Sequence, residues 1–349
     1  MEPIVLSHRN IGLNHPPLII AEMSGNHNHS LDQALKIVEA AAKSGAHAVK
    51  LQTYTADTMT LDLEEGEFSI HDPESLWSGY SLYQLYKEAY TPWEWHQPIF
   101  ERCRDLGLIA FSSPFDESAV DFLEELNVPC YKIASFENTD LPLIRKAAKT
   151  GKPLIVSIGM ATLAELDETV RTIRKAGCQD LILLQCTSSY PASPEDSNIL
   201  TLPHLQELFQ CQVGLSDHTL GIGVSVAGVA LGATVIEKHF TLSRAEGGVD
   251  SAFSLEPEEM RQLVTETHQA WLAMGKITYG PTVTEENSMK LRRSLYITEN
   301  MKKGDRLTKE NVRIIRPGLG LAPKYYDVIL GRKIKNDVPK GTPVSWNLF

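Results

Sequence analysis

A TIM (β/α)8 barrel followed by a small β-rich C-terminal domain is the fold that this 349-residue sequence predicts. Three observations predict it. Eight short runs rich in β-branched residues lie between Leu18 and Phe240, each closing on polar residues. The segments between them have helical spacing and carry helix start and stop signals. After Gly275 the alternation gives way to a Gly-, Pro- and polar-rich stretch, GKITYGPTVTEENSMKLRR, of the kind that links domains.

The runs are LIIAEM (18–23), HAVKLQT (47–53), LIAFSS (108–113), CYKIAS (130–135), PLIVSIG (153–159), LILLQCT (181–187), QVGLSDH (212–218) and TVIEKHF (234–240). Ser30 and Thr162 are placed to cap the helices that follow them, and Gly45 and Gly177 to end those helices. The stretch from Tyr54 to Thr91 is too long for a simple connection. It predicts an elaborated loop with a short helix, its Trp and Tyr residues serving as core or interface. Residues 4–13 predict a hairpin plugging the barrel floor. The domain limits read as 1–275 for the barrel, 276–293 for the linker and 294–349 for a small, mostly irregular β domain, in which NMKKGDRLTKENV and NDVPKGTPVSW are similar phrases.

A formal net charge of -11 argues against a nucleic-acid partner, since phosphate backbones attract basic surfaces. A small anionic ligand needs only local cations and stays compatible with that charge. The five cysteines form no CxxC pair and read as buried thiols. Neither an apolar signal core at the start nor a run of about 20 apolar residues occurs, so no membrane association and a cytoplasmic location are expected.

Active sites of such barrels lie at the C-terminal strand ends, which gives weight to the polar residues there. Residues two apart share one side of a strand, and Lys50/Gln52, Ser216/His218 and Glu237/His239 are such pairs. His218 and His239, on consecutive strands, are the expected ligands of a divalent metal. Imidazole suits manganese, iron, cobalt or zinc, and two histidines leave positions for water and substrate. Lys50 and Lys132 can pair with Glu22 or Glu237 or, joined by Ser135, Ser157 and Ser216, form a cradle for phosphate or carboxylate. Lys238 alternates away from the interior and reads as structural. Cys130 and Cys186 read as small hydrophobes. The glycines of GLSDHTLGIGVSVAG match no nucleotide-binding fingerprint.

The phrases AEMSGNHN, VKLQTYTADTMT, FSSPFD, YKIASFE, SIGMAT, CTSSYP, GLSDHTLG, IEKHFTL, GVDSAFSLEP and RRSLY…RPG resemble, in order along nearly the whole chain, the sialic acid synthase family. The C-terminal segment resembles that family's antifreeze-like (SAF) domain. LYQLYKEAYTPWEWH and DSAFSLEP resemble its pseudaminic acid synthase branch. N-acetylneuraminate synthases commonly carry histidine where this chain has Ser251.

The resemblance implies a transferase that condenses phosphoenolpyruvate with open-chain 2,4-diacetamido-2,4,6-trideoxy-L-altrose and water. The products are pseudaminic acid and phosphate, released by C–O cleavage. The same chemistry on an N-acetylneuraminate or legionaminate precursor is the alternative, and a carbohydrate-binding protein with an inert barrel is the rival of another class. Under the resemblance His218 and His239 hold manganese, with magnesium or cobalt as substitutes. Lys50, Ser113, Lys132, Ser135, Ser188 and Ser216 bind phosphoenolpyruvate. Ser188 stands where neuraminate synthases have asparagine. Glu22, Gln52, Tyr190 and Asp250 surround sugar and metal. Glu137 is the expected handler of the proton on the attacking water or departing phosphate, which makes it, Glu22 and Asp250 the catalytic carboxylates. Arg316 is expected to reach the sugar site of the other subunit in a domain-exchanged homodimer.

Overall fold

The computed structural model describes residues 2–73 and 75–349 and brings the eight predicted runs together in a closed parallel barrel. A hairpin comes first, β1 (Ile4–Leu6) and β2 (Arg9–Ile11), paired antiparallel. The barrel strands are β3 (Leu18–Glu22), β4 (Ala48–Thr53), β5 (Ile109–Pro114), β6 (Tyr131–Ile133), β7 (Leu154–Ser157), β8 (Leu181–Cys186), β9 (Gln212–Ser216) and β10 (Val235–His239). The last closes on the first with His239 opposite Glu22.

Two apolar layers follow from strand alternation. Ile4, Leu6 and Ile11 of the hairpin pack with the inward residues Leu18, Ile20, Ile109, Phe111, Ile155 and Leu184, and so fill the barrel floor as the sequence predicts. Outward residues such as Ile19, Val49, Tyr131, Val156 and Leu183 pack under the helices. These helices are α1 (Leu31–Lys43), α2 (Ala56–Met59), α3 (Leu82–Ala89), α4 (Trp93–Asp105), α5 (Glu117–Glu125), α6 (Leu141–Lys149), α7 (Leu163–Lys175), α8 (Thr201–Phe209), α9 (Gly223–Ala230) and α10 (Pro257–Met274).

Local chemistry sets the helix ends. The Ser30 side chain accepts from Gln33 N, and Thr162 and Glu165 form a capping box. Just past the ends of α1 and α7, Gly45 and Gly177 hold φ of 82° and 104°, a conformation in which glycine carries no Cβ penalty. The excursion after β4 holds more helix than predicted, α2 and α3 in addition to a 3-10 turn at Gly66–Phe68.

The chain divides into two compact units, Met1–Gly275 and Lys276–Phe349. The second contains α11 (Glu286–Met289), the antiparallel pair β11 (Ser294–Ile297) and β12 (Val312–Ile315), and α12 (Tyr326–Ile329). Its own core includes Leu295, Ile297, Leu307, Val312, Ile329 and Val344. The two similar phrases of this unit meet each other: Met301 bridges Val338 antiparallel, and Lys302 pairs with Asp337 at 2.9 Å. No helix is long and apolar enough to cross a membrane among the described residues.

Candidate active site

Four buried charges stand side by side near the C-terminal ends of β3, β4, β6 and β10. Lys50 Nζ lies 2.7 Å from Glu22 and 3.6 Å from Glu237, and Lys132 Nζ lies 3.5 Å from the same Glu237 oxygen. Strand register explains the arrangement, because Glu22 pairs with both Lys50 and His239, and Glu237 with Ser216. The predicted serines and glutamine complete it. Lys50 donates to Ser113 Oγ at 3.2 Å, Ser216 donates to Glu237 at 3.2 Å, and Gln52 donates to Glu22 at 3.0 Å.

Burial opposes charge on all four groups. For Lys50 the carboxylates of Glu22 and Glu237 outweigh it and hold the ammonium above its usual range. Glu237 is pulled below the carboxylate range, because Lys132 and Lys50 outweigh its own burial. Lys132, with the weaker pairing, is lowered by burial. The ion-pair reading of the lysines holds: they pair with Glu22 and Glu237.

Beside the lysines are polar atoms with nothing to bond. The buried Ser157 and Ser188 hydroxyls have no hydrogen-bond partner, and Ser135 has none but the Cys186 thiol beside it. One oxygen each of Glu137 and Glu237 is similarly unpartnered. Buried polar groups are normally satisfied, so a cluster of this kind marks a place built for a ligand rich in acceptors. Gly159 forms its back wall. A Cβ there would stand 2.7 Å from Ser135 Oγ and nearer still to Ser188 Oγ, so only glycine leaves both hydroxyls in place. Asn138 fixes that wall by donating to the carbonyls of Ser157 and Gly159 at 3.3 and 2.9 Å. Burial pushes the Glu137 carboxyl up to about 7, with Lys132 opposing, which suits it to exchange a proton at neutral pH.

Above this layer His218 and His239 face each other with ring centroids 5.4 Å apart. His218 Nδ1 donates to Thr187 O at 2.9 Å, which leaves Nε2 as the lone-pair nitrogen. Burial, with the positive charges nearby, keeps His239 far below the usual imidazole range and therefore neutral. Its buried Nδ1 has no hydrogen-bond partner, and Asp250 stands 3.8 Å away. Asp250 in turn accepts a short hydrogen bond from Ser24, a non-glycine residue held at φ 48°. Among the described residues no group of three or more His, Cys, Asp and Glu forms a metal cage. Two facing imidazoles, one with an orphaned nitrogen, fit an ion whose remaining positions are filled by water and substrate.

Tyr190 closes the top, its ring 4.5 Å from His218 and 5.8 Å from Trp77, while Phe253 lies 4.8 Å from His239. The excursion after β4 thus delivers Trp77 to the rim of the site, beyond the core or interface role read from sequence. Cys186 also departs from its expected role as an inert hydrophobe. Its Sγ lies 3.9 Å from His218 Nδ1, and although burial raises its pKa, that contact outweighs it and brings the thiol down to about 7. Lys238 is structural, as its alternation predicts, bonded to Asp217 at 3.2 Å and to the Thr219 and Gly221 carbonyls.

Arg316 lies in the second unit, exposed, just past β12. Sequence reasoning named Glu237 as a partner of the lysines but did not count it among the site residues, although it pairs with both. It missed Ser24, Trp77 and Phe253 for want of any local signal.

The NeuB family model matches residues 37–279 and a SAF domain model matches residues 292–349. The chain belongs to the NeuB family. Its sequence is 44% identical to the pseudaminic acid synthase of Helicobacter pylori over 95% of this chain and 97% of that one. The N,N'-diacetyllegionaminic acid synthase of Legionella pneumophila is 38% identical over 94% and 93% of the two chains. A crystal structure of N-acetylneuraminic acid synthetase from Leptospira borgpetersenii, in complex with citrate, superposes with a TM-score of 0.74 at 32% identity. That match covers 82% of this chain and 95% of the other.

Proposed function

We propose that this protein is a pseudaminic acid synthase. It joins phosphoenolpyruvate to 2,4-diacetamido-2,4,6-trideoxy-L-altrose, with water, and releases phosphate. The observation that carries this reading is the pair of orphaned hydroxyls of Ser157 and Ser188, with Ser135 beside them, in the same barrel end as the buried Lys50 and Lys132 and the facing His218 and His239. Similarity to pseudaminic acid synthase at 44% identity, against 38% for the legionaminic acid enzyme, supports this sugar over its rivals.

Phosphoenolpyruvate carries a carboxylate and a phosphate, and the two lysines with the three serines supply charge and donors to both. Ser113, Ser216, Glu22 and Glu237 hold the lysines in place, so little reorganisation is needed when the anion arrives. A divalent ion held by His218 and His239, manganese by preference and magnesium or cobalt as substitutes, would supply Lewis-acid polarisation of the sugar aldehyde. Tyr190, Asp250 and the Glu22–Gln52 pair surround the space in which C3 of phosphoenolpyruvate meets the aldehyde carbon. The aldehyde oxygen gains a proton as the new C–C bond forms. Water adds at C2 and loses a proton, and the C2–O bond to phosphate breaks. Glu137, close to Lys132 and balanced near neutrality, takes the proton from that water or gives one to the departing phosphate.

Arg316 completes the sugar site in trans within a domain-exchanged homodimer, and the protein works in the cytoplasm. Phosphate release is the test, measured with each sugar in the presence of manganese. Turnover confined to N-acetylmannosamine would overturn the assignment. His218→Ala and His239→Ala should abolish metal-dependent release, and mixing an Arg316 variant with a barrel-site variant should restore part of it.

A further inference from the structure

Beside the loops that carry Ser24 and Asp250 is a cavity of about 470 Å³ lined by both apolar and polar side chains. Leu76, Trp77, Val249 and Ala252 are its apolar lining, and Asn28, His29, Tyr80 and Glu88 its polar lining. It adjoins the reacting centre through residues already placed there. Val249 is the chain neighbour of Asp250, and Gly25 that of Ser24, whose hydroxyl binds Asp250. Trp77 also stacks at a tilt on Tyr190, which itself covers His218.

The wall is fixed by close packing. Trp77 Nε1 donates to Val249 O at 2.9 Å, locking the indole against the loop that bears Asp250. A Cβ on Gly25 would reach 2.5 Å from Val249 Cγ2, and one on Gly248 would reach 2.7 Å from Asn28 Oδ1. Both glycines let the two loops approach closely.

A sugar whose aldehyde carbon lies at the histidines must direct its far end away from them. We propose that the apolar face formed by Trp77, Leu76, Val249 and Ala252 receives the terminal methyl group of that far end. The cavity thereby selects 6-deoxy amino sugars over their 6-hydroxyl counterparts. This rests on the synthase reading above and adds to it a residue set that sets specificity. A hydroxyl pressed against that face would lose its water and find no partner, since the wall there offers carbon. Apolar pockets discriminate by about a hundredfold between isosteres of this kind.

The test compares kcat/KM for 2,4-diacetamido-2,4,6-trideoxy-L-altrose and for its 6-hydroxyl counterpart, followed by phosphate release. The native enzyme should favour the 6-deoxy sugar by about a hundredfold. Val249→Thr, close to isosteric, and Ala252→Ser each place a hydroxyl in the wall and should narrow that ratio about tenfold or more, with KM for phosphoenolpyruvate unchanged. Trp77→Leu should lower the 6-deoxy reaction more than the 6-hydroxyl one. A parallel fall for both sugars in Trp77→Leu, with the ratio intact in the two hydroxyl variants, would show a merely structural wall and overturn the proposal. Equal use of the two sugars by the native enzyme would sink the cavity assignment alone, whereas no phosphate release from either would sink the synthase reading beneath it.

Discussion

Glu237 faces two lysines with a single carboxylate, and one of its oxygens serves Lys50, Lys132 and Ser216 together. Glu237→Gln keeps the shape and the contact with Ser216 but removes that charge. Breaking a buried pair from one side costs about 3–5 kcal/mol, so a loss of that order is expected in denaturant titrations. Under the proposed function phosphoenolpyruvate brings negative charge to the same place, and its stabilising effect on melting should be larger in the variant than in the native protein. Equal stabilisation of both would contradict this account. Glu137 makes a second prediction. Its folded-state pKa, raised to about 7, means that its contribution to stability is fully present below the unfolded value of 4.5 and is lost as pH rises through 7. The loss is on the order of 3 kcal/mol at 1.36 kcal/mol per pKa unit, and Glu137→Gln should flatten the fall in melting temperature between about pH 5 and 8. At this scale the sequence revealed what alternation reveals. His218, His239, Lys50 and Gln52 were legible because a strand repeats every two residues. Ser24 and Phe253 were not, because the contacts that matter to them join loops far apart in the chain.

Each strand end contributes through the turn that follows it, and the turn after β7 illustrates how little tolerance there is. Gly159 has no unusual φ, so alanine fits its backbone, yet the added methyl would displace the Ser135 and Ser188 hydroxyls. Gly159→Ala should therefore raise KM for phosphoenolpyruvate about tenfold or more while leaving the unfolding free energy within about 1 kcal/mol of native. An unchanged KM would remove those serines from the anion site. All eight strands were legible because each joins a β-branched run to a polar end, even β6 with its three residues Tyr131–Ile133. The excursion between β4 and α4 was read only in outline. Its helices are short, α2 having four residues and α3 eight, and such segments hold their shape through the surfaces they pack on. That is why the arrival of Trp77 at the active site was invisible beforehand.

Charge is divided very unevenly between the two units. Residues 1–275 carry 18 Lys and Arg against 37 Asp and Glu, whereas residues 276–349 carry 15 against 7. In the proposed domain-exchanged homodimer, a cationic unit of one chain meets an anionic barrel of the other. Attraction of that kind is screened over about 10 Å at 0.1 M salt and about 3 Å at 1 M. The dimer dissociation constant, followed by sedimentation, should rise steadily across that range, and indifference to salt would count against an electrostatic union. The hairpin at the barrel floor has a consequence for traffic. With Ile4, Leu6 and Ile11 sealing one end, everything that enters the barrel must come and go through a single doorway. Under the proposed function phosphoenolpyruvate sits a layer deeper than the histidines, so a sugar that boards first would block the way. On that reading the anion is expected to go in before its partner, and the finished product to clear the doorway before the next round begins.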